Sequence, residues 1–187
     1  MGVKMIAADL HECGQALMEG SCDLVLAYNA TSVPSVFGIA RFETVTIGAD
    51  VILPVSAPGK RGRPLHAIQG AAGFPLLAYA GNSYLGRLVG AALETWNMGA
   101  RARPRYESAL VEALKGMALA GQGVAWLPRA AIEANLAAGR LVACGDARKY
   151  GLDVEIRAYR RAERERSIVE HVWRALTASP KFNANSA

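Results

Sequence analysis

A chain of 187 residues that is 52% hydrophobic and 20% charged can bury a core, as one domain or two small lobes, which excludes a disordered protein. The net charge of +5 permits contact with polyanions without requiring it. Three cysteines without CxxC spacing argue against a disulfide framework, and the absence of a signal peptide or a membrane-length apolar run predicts a cytoplasmic protein.

The first third of the chain alternates strand and helix patterns. Asp9 is placed to cap a helix from Leu10 to Glu19, and Gly20 to end it. We predict that the core face of this helix consists of Leu10, Gly14, Leu17 and Met18. The strands predicted around it are residues 3–8, 23–28, 42–47 and an extended segment 50–56, where Pro54 favours an edge or crossover position over a central one.

The remainder of the chain continues the alternation. Helix caps are predicted at Asn82–Ser83 and at Ser108, and helix ends at Gly99, Gly121 and Gly139. The predicted strands are 74–79, 101–106, 124–127 (ended by Pro128), 141–144 and 152–159. The predicted helices are 84–97, 108–121, 129–138 and 164–178. In the last helix, the residues expected to face the core are Ile168, Val169, Val172, Trp173 and Leu176. This order predicts an α/β protein with a mostly parallel sheet in each lobe.

Two loops rich in glycine or charge predict the boundaries between the lobes. The first, 57–64, contains Pro58, Gly59, Gly62 and Pro64 together with three cations, and we expect it to be exposed and mobile. The second is 145–151. We therefore predict a discontinuous lobe I of residues 1–55 and 151–180, a lobe II of residues 56–150, and a flexible tail of residues 181–187.

Several motifs resemble the regulatory domain of LysR-type transcriptional regulators. The sharpest is Gly121-x-Gly123-x-x-x-Leu127-Pro128 after a helix with Val-x-x-Ala-Leu-x-x-Met spacing. The segments 74–79, 82–88 and 123–128 look particularly like the subgroup that responds to hypochlorite. The resemblance extends from about Val3 to Leu176, which is nearly the whole chain.

This resemblance implies a fold like that of type II periplasmic binding proteins, in which two α/β lobes hold a small effector. In such regulators an N-terminal winged helix-turn-helix binds promoter DNA, and the protein acts as a dimer or tetramer. The present sequence departs from that pattern in two respects. It contains no helix-turn-helix module, so contact with promoter DNA is expected only through such a module, which this chain lacks. Its first predicted strand corresponds to the second strand of lobe I, so the first strand and helix of that lobe are missing.

Ligands of open α/β sheets bind beyond the carboxyl ends of strands, near helix N-termini. Matched by order along the chain, Leu10 and His11 in lobe I and Asn82, Ser83 and Tyr84 in lobe II fall where the family's pocket residues fall. Ser108, after the next strand, is the sixth candidate for effector binding. Each has a structural alternative, since asparagine and serine are common caps, a first-turn histidine can be solvated, and a tyrosine can belong to the core.

Other chemistries have little support. The three histidines are far apart without metal-ligand spacing, no catalytic triad or phosphate loop is present, and no cofactor is predicted. Cys13 near a helix start is either a redox thiol or an inert buried one, and methionine is an alternative oxidant sensor. Either of the cationic runs 60–63 and 157–166 could contact nucleic acid, but neither is interleaved with aromatic side chains or accompanied by a reading helix, so both are interpreted as solvated faces. We predict a non-catalytic, effector-binding and oligomerising regulator domain, with a stand-alone solute receptor as the alternative and an enzyme as the weakest reading.

Overall fold

The computed structural model describes residues 2–35, 37, 42–69, 72–163 and 167–178. Strands and helices alternate along the chain, as the sequence predicts. The strands are β1 (Val25–Asn29), β2 (Phe42–Ser56), β3 (Phe74–Tyr79), β4 (Ala102–Ser108), β5 (Ala125–Pro128), β6 (Val142–Ala143) and β7 (Leu152–Arg161). The helices are α1 (Leu10–Glu19), α2 (Tyr84–Thr95), α3 (Val111–Leu119), α4 (Arg129–Ala137), α5 (Ala147–Tyr150) and α6 (Ser167–Ala178).

The chain folds into two compact units. Unit 1 comprises Met1–Ala49 and Glu155–Ala187, and unit 2 comprises Asp50–Val154. The sequence-based estimate of lobe II, residues 56–150, lies inside unit 2, and both β2 and β7 contribute residues to each unit. Within the described residues, no helix is long and apolar enough to cross a membrane.

Unit 1 is built around the antiparallel pair β1 and β7, with Val25 opposite Tyr159. These two side chains join Leu17 and Phe37 in a buried cluster, in which the rings of Phe37 and Tyr159 stack at 4.2 Å. The helix α1 covers this cluster. Its predicted start and end are confirmed, because Asp9 forms a capping box with Glu12, and Gly20 adopts the left-handed conformation that suits glycine, with φ of 74°.

Three predictions for unit 1 are wrong. Residues 3–8 form no strand, since the segment has no pairing partner among the described residues, and Val3, Met5 and Ile6 are 78%, 86% and 68% exposed. Met18 and Ile168, both expected to face the core, are also largely exposed. Each is adjacent to a core residue along its helix, and the buried stripes are narrower than the apolar pattern indicated. The predicted helix residues 164–166 and the tail lie outside the described part.

A buried cation ties three elements of unit 1 together. The Arg160 side chain of β7 is only 11% exposed, and its Nε donates to a carboxylate oxygen of Glu43 on β2 at 2.7 Å. Its Nη1 lies 2.9 Å from Glu170 of α6, and its guanidinium lies 4.9 Å from the ring centre of Trp173. Hydrogen bonding and charge pairing offset much of the cost of burying the guanidinium.

Unit 2 contains a parallel pair, β3 and β4, that extends from Phe74 opposite Ala102 to Tyr79 opposite Ser108. A parallel bridge joins Leu76 of β3 to Val124, immediately before β5. Three further pairings are antiparallel, namely β1 with β7, β2 with β5 and β2 with β6. The expectation of a mostly parallel sheet in each lobe is therefore wrong for the pairing of β1 with β7 in unit 1 and is met only in part in unit 2. All four residues of β5 are buried; Val124, just before the strand, is bridged in parallel to β3, and β5 itself pairs antiparallel with β2.

Pro54 lies at an inner position of the sheet, which corrects the expectation of an edge. It is opposite Trp126 of β5, and on the other side its carbonyl oxygen accepts the N–H of Cys144 at 2.9 Å. In an antiparallel strand the N and C=O of one residue point to the same neighbour. The missing N–H of Pro54 thus faces the short strand β6 and leaves the pairing with β5 intact.

Several boundaries in unit 2 differ from prediction by a few residues. The helix α2 ends at Thr95, before the expected Gly99, and Asn97 makes the left-handed turn with φ of 53°. Gly121 and Gly139 follow α3 and α4 with positive φ, as predicted. A single helical turn, α5, occupies the predicted loop 145–151, and the 57–64 segment is exposed at its tip but is closed by a bridge between Pro58 and Pro64.

Candidate functional site

The candidate site in unit 2 begins where β3 and β4 end. Because the strands are parallel, their carboxyl ends lie side by side, and the N–H of Ala80 donates to the carbonyl oxygen of Ser108 at 3.1 Å. This bond joins the segment after β3 to the last residue of β4. The structure therefore brings together four of the six predicted site residues, Asn82, Ser83, Tyr84 and Ser108.

Ser83 starts α2 as its N-cap. Its Oγ accepts a hydrogen bond from the N–H of Gly86 at 3.0 Å, and its own N–H donates to the carbonyl oxygen of Ala80 at 2.9 Å. Only 8% of Ser83 is exposed. Its hydroxyl is engaged in capping, while the preceding Asn82 is exposed and free of that role.

Gly86 lets the first turn of α2 approach the end of β3. A Cβ atom at this position would collide with the Ala80 carbonyl oxygen and would stand 2.9 Å from Ser83 Oγ. Gly86 is not among the site residues predicted from the sequence. A glycine in the first turn of an otherwise strong amphipathic helix, where it lowers helix propensity, is the signal that could have identified it.

Tyr84 belongs mainly to the core of unit 2. Its side chain is 6% exposed, and the Arg87 guanidinium lies 5.9 Å from the ring centre. The Arg87 side chain itself is exposed on the first turns of α2. Tyr84 is thus a buried residue in the first turn of α2, and the Arg87 guanidinium provides a positive charge near its ring.

Ser108 does not cap α3, which corrects the prediction. It is the last residue of β4, and its Oγ accepts the N–H of Leu110 at 3.1 Å in a local turn. The N-cap of α3 is Leu110, which has no side-chain hydrogen bond to offer. A serine hydroxyl satisfies a backbone N–H two residues ahead as readily as it caps a helix, and sequence alone does not distinguish the two.

The two candidates in unit 1 differ in exposure. Leu10 is half-buried and packs against the cluster of Leu17, Val25, Phe37 and Tyr159, which gives it a structural role. His11 is exposed in the first turn of α1, on a helix whose start is already acidic through Asp9 and Glu12. Of the pair, His11 is the one whose side chain is accessible to a ligand.

The thiols are poor nucleophiles. Burial raises the pKa of Cys144 to about 12. Burial, followed by the negative charges of Asp9 and Glu12, raises the pKa of Cys13, and burial also raises that of Cys22. Because the thiolate is the reactive form, these environments disfavour thiol chemistry. In the described part of the chain, no group of three or more His, Cys, Asp or Glu side chains could hold a metal ion.

The unit 2 site offers dipoles and polar groups to a ligand. The twelve-residue helix α2 directs its positive end toward the residues that follow β3, and no acidic residue lies in its first turn. Exposed Asn82 provides an amide that can donate and accept. A small molecule with a carboxylate or another polar acceptor matches this arrangement.

Comparison with known proteins identifies related domains. Residues 2–180 match the family model described as the LysR substrate binding domain. The chain is 31% identical over 170 residues to the HTH-type transcriptional regulator YjiE of Escherichia coli K12, across 91% of this chain and 54% of YjiE. It is also 31% identical over 170 residues to the HTH domain-truncated transcriptional regulator QseD of Escherichia coli O157:H7, and this match covers 91% of this chain and 67% of QseD. The chain therefore spans about half the length of YjiE.

A solved structure gives the same result. The regulatory domain of HypT from Salmonella typhimurium, in its apo form, superposes with a TM-score of 0.81 and 31% identity, over 91% of this chain and 78% of that chain. Full-length HypT is a hypochlorite-specific LysR-type transcriptional regulator. The predicted fold class, an α/β fold of the two-lobed periplasmic-binding-protein type, is confirmed by these matches.

Proposed function

We propose that this chain, which belongs to the LysR substrate-binding domain family, is the effector-sensing part of a cytoplasmic, non-catalytic transcription regulator. Domains of this family are the regulatory, effector-binding part of LysR-type regulators. The effector of this chain is, in our proposal, a small polar or acidic molecule. Contact with promoter DNA would be made through a helix-turn-helix, which these 187 residues do not contain.

The proposal for the site rests on one observation, the hydrogen bond between Ala80 and Ser108. It holds the start of α2 against the end of β4, so that the exposed Asn82 lies directly before the positive end of that helix. We assign the effector contact in unit 2 to Asn82, the backbone at Ser83 and Tyr84, and Ser108. For unit 1 taken by itself, the proposed effector contact is His11, and Leu10 next to it packs against the core cluster of that unit.

The test is a thermal-shift screen of small organic acids and amino acids, followed by calorimetric titration of a compound that stabilises the chain. Asn82→Ala should weaken binding by about tenfold, the loss expected when one hydrogen bond to a charged ligand is removed. Gln69→Ala, which removes another exposed amide of unit 2, is the matched control and should bind like the wild type. Equal affinity in both variants would contradict the assignment of Asn82.

Sensing of an oxidant is the second candidate, because HypT is hypochlorite-specific. The raised pKa values of Cys13, Cys22 and Cys144 argue against a thiol as the reactive group here. Methionine is the remaining candidate, and Met5 and Met18 are 86% and 49% exposed. Mass spectrometry after limited hypochlorite treatment would show which side chains gain oxygen first, and oxidation at a cysteine before any methionine would contradict this preference.

We also propose that the chain forms a homo-oligomer, a dimer or a tetramer, through β4. Among the described residues β4 pairs only with β3, and residues 103–107 are exposed on both faces of the strand, including Tyr106 at 38%. An open edge of this kind favours association. Tyr106→Lys should shift the sedimentation coefficient toward the monomer, whereas Met18→Lys, at a similarly exposed apolar position of unit 1, should not.

A further inference from the structure

Unit 2 carries the whole charge excess of the protein. It contains 12 Lys and Arg residues against 7 Asp and Glu residues, a balance of +5, whereas the 9 of each kind in unit 1 cancel. The net charge of +5 is therefore concentrated in one part of the chain. A local surplus of this kind attracts polyanions where the cations are exposed and unpaired.

The segment from Pro58 to Pro64, here called the 58–64 loop, concentrates three of these cations. Lys60, Arg61 and Arg63 are all exposed, and the loop contains no carboxylate. None of the three forms an ion pair with a described residue. In the described part of unit 2 one cation does so, Lys115 with Glu112 at 2.6 Å.

The second cationic run of the sequence, 157–166, differs from the loop because two of its arginines form ion pairs. Arg157 pairs with Glu155, and Arg160 pairs with both Glu43 and Glu170. These contacts neutralise Arg157 and Arg160 within unit 1, which makes these two side chains less available to an external anion. The two runs look alike in the sequence, and only the structure separates a paired one from an unpaired one.

The 58–64 loop is held in one conformation at its base. Pro58 bridges to Pro64, and the N–H of Gly59 donates to the carbonyl oxygen of Arg63 at 2.6 Å. Beyond the loop, Leu65 N–H donates to the carbonyl oxygen of Ala57 at 2.9 Å. The loop thus keeps three like charges close together, and their mutual repulsion would be relieved by an anionic partner.

We propose that the 58–64 loop contacts the phosphate backbone of double-stranded DNA. This inference rests on the proposed function, in which the domain operates within a DNA-bound regulator. Lysine and arginine bind phosphates without reading sequence, and the loop has no aromatic side chain to stack on bases, so it would add affinity rather than specificity. The adjacent Leu65 is 51% exposed although part of its side chain lies against Gly121, and a single leucine beside three cations is a weak membrane anchor.

The test measures binding of the 187-residue chain to a short fluorescent duplex of arbitrary sequence by anisotropy, from low to near-physiological salt. The triple variant Lys60→Ser, Arg61→Ser and Arg63→Ser should bind about tenfold more weakly or worse at low salt. Its plot of log affinity against log salt should be shallower by about 2.7, since each phosphate contact contributes about 0.9.

The matched control removes three exposed cations elsewhere in unit 2, through Arg129→Ser, Arg140→Ser and Arg148→Ser. Its salt slope should stay close to that of the wild type. Equal losses in the two triple variants would overturn the proposal, because net charge alone would then explain binding. The proposal would also be overturned if the wild-type protein does not bind the duplex, or if it binds polyglutamate or anionic vesicles as tightly as it binds the duplex. If the chain binds an effector in calorimetric titration but does not bind the duplex, this inference alone is overturned and the proposed function is unaffected.

Discussion

The carboxylate of Asp50 accepts a hydrogen bond from the backbone N–H of Ala130, in the first turn of α4, at 3.3 Å. The two residues are 80 positions apart in the chain. The same Oδ1 atom also accepts the N–H of Val51 at 2.7 Å, and Asp50 is 4% exposed. The N-cap position of α4 is occupied by Pro128, which has no side-chain hydrogen bond. Asp50 therefore supplies from β2 the acceptor that the start of α4 lacks locally.

Asp50→Ala should lower the free energy of unfolding by about 1–2 kcal/mol, because it leaves the N–H of Ala130 without its capping acceptor and removes a negative charge from a helix N-terminus. Asp50→Asn keeps an acceptor and should lose less. Asp153→Ala, which removes an exposed aspartate of the same unit, should change stability by less than about 0.5 kcal/mol. Urea unfolding of the three variants provides the comparison. A loss as small at Asp50 as at Asp153 would refute the capping role.

Local signals account for most of what the sequence predicted correctly. The caps at Asp9 and Ser83 and the left-handed turns at Gly20 and Gly121 depend on residues within a few positions of one another, and each was found. Such contacts leave a pattern that can be read along the chain. The same reasoning placed the strand 74–79 without error.

Contacts between distant segments explain what was missed. Nothing near Ala130 indicates that its partner is Asp50, and the burial of β5 does not reveal that its neighbour β2 runs antiparallel. For the site, helix starts could be read from sequence, but the tight approach of Gly86 to Ala80 depends on how α2 packs on β3. Residues 3–8 show the converse case, because their strand-like composition finds no pairing partner among the described residues.

Two glycines of α2 provide a matched pair. Gly86 lies against the Ala80 carbonyl oxygen, whereas a Cβ at Gly90 would meet no atom within 4 Å. Gly90→Ala should raise the free energy of unfolding by about 0.5–1 kcal/mol through helix propensity. Gly86→Ala should lower it by about 1–3 kcal/mol, the usual cost of overpacking, and should weaken effector binding because the helix start moves away from Asn82's neighbours.

Thermal denaturation and calorimetric titration of both variants measure these effects. The close approach would be disproved by a Gly86→Ala protein that gains stability as Gly90→Ala does. The effector measurement uses the compound found by the screen described for Asn82. A stable Gly86→Ala protein with unchanged affinity would indicate that the start of α2 does not shape the site.

Two arginines of β7 test how much burial strengthens an ion pair. Arg160 is 11% exposed and bonds Glu43, which is 43% exposed, whereas Arg157 is 29% exposed and pairs with Glu155, which is 44% exposed. Arg160→Ala should cost about 2–3 kcal/mol of unfolding free energy, since it also removes the contact with Trp173, and solvent at the carboxylates keeps the value below that of a fully buried pair. Arg157→Ala should cost less than about 1 kcal/mol. Guanidinium unfolding curves of the two variants measure these losses of unfolding free energy. Equal losses would show that burial does not strengthen the Arg160 ion pairs relative to that of Arg157.

Cys144 predicts a pH effect of definite sign. Burial raises its pKa from the usual 9.0 to about 12, so the folded chain keeps this thiol protonated at a pH where the unfolded chain has lost the proton. The folded state then binds more protons, and stability must fall as pH rises from about 9 toward 12, by up to about 1.4 kcal/mol per pH unit from this group. Because other side chains also titrate in this range, the relevant quantity is the difference between the wild type and Cys144→Ala. The free energy of unfolding of the wild type, taken relative to that of Cys144→Ala, should fall steadily as pH rises above 9 and stay constant below pH 9. A difference that does not change with pH would show that Cys144 is not desolvated in the folded chain.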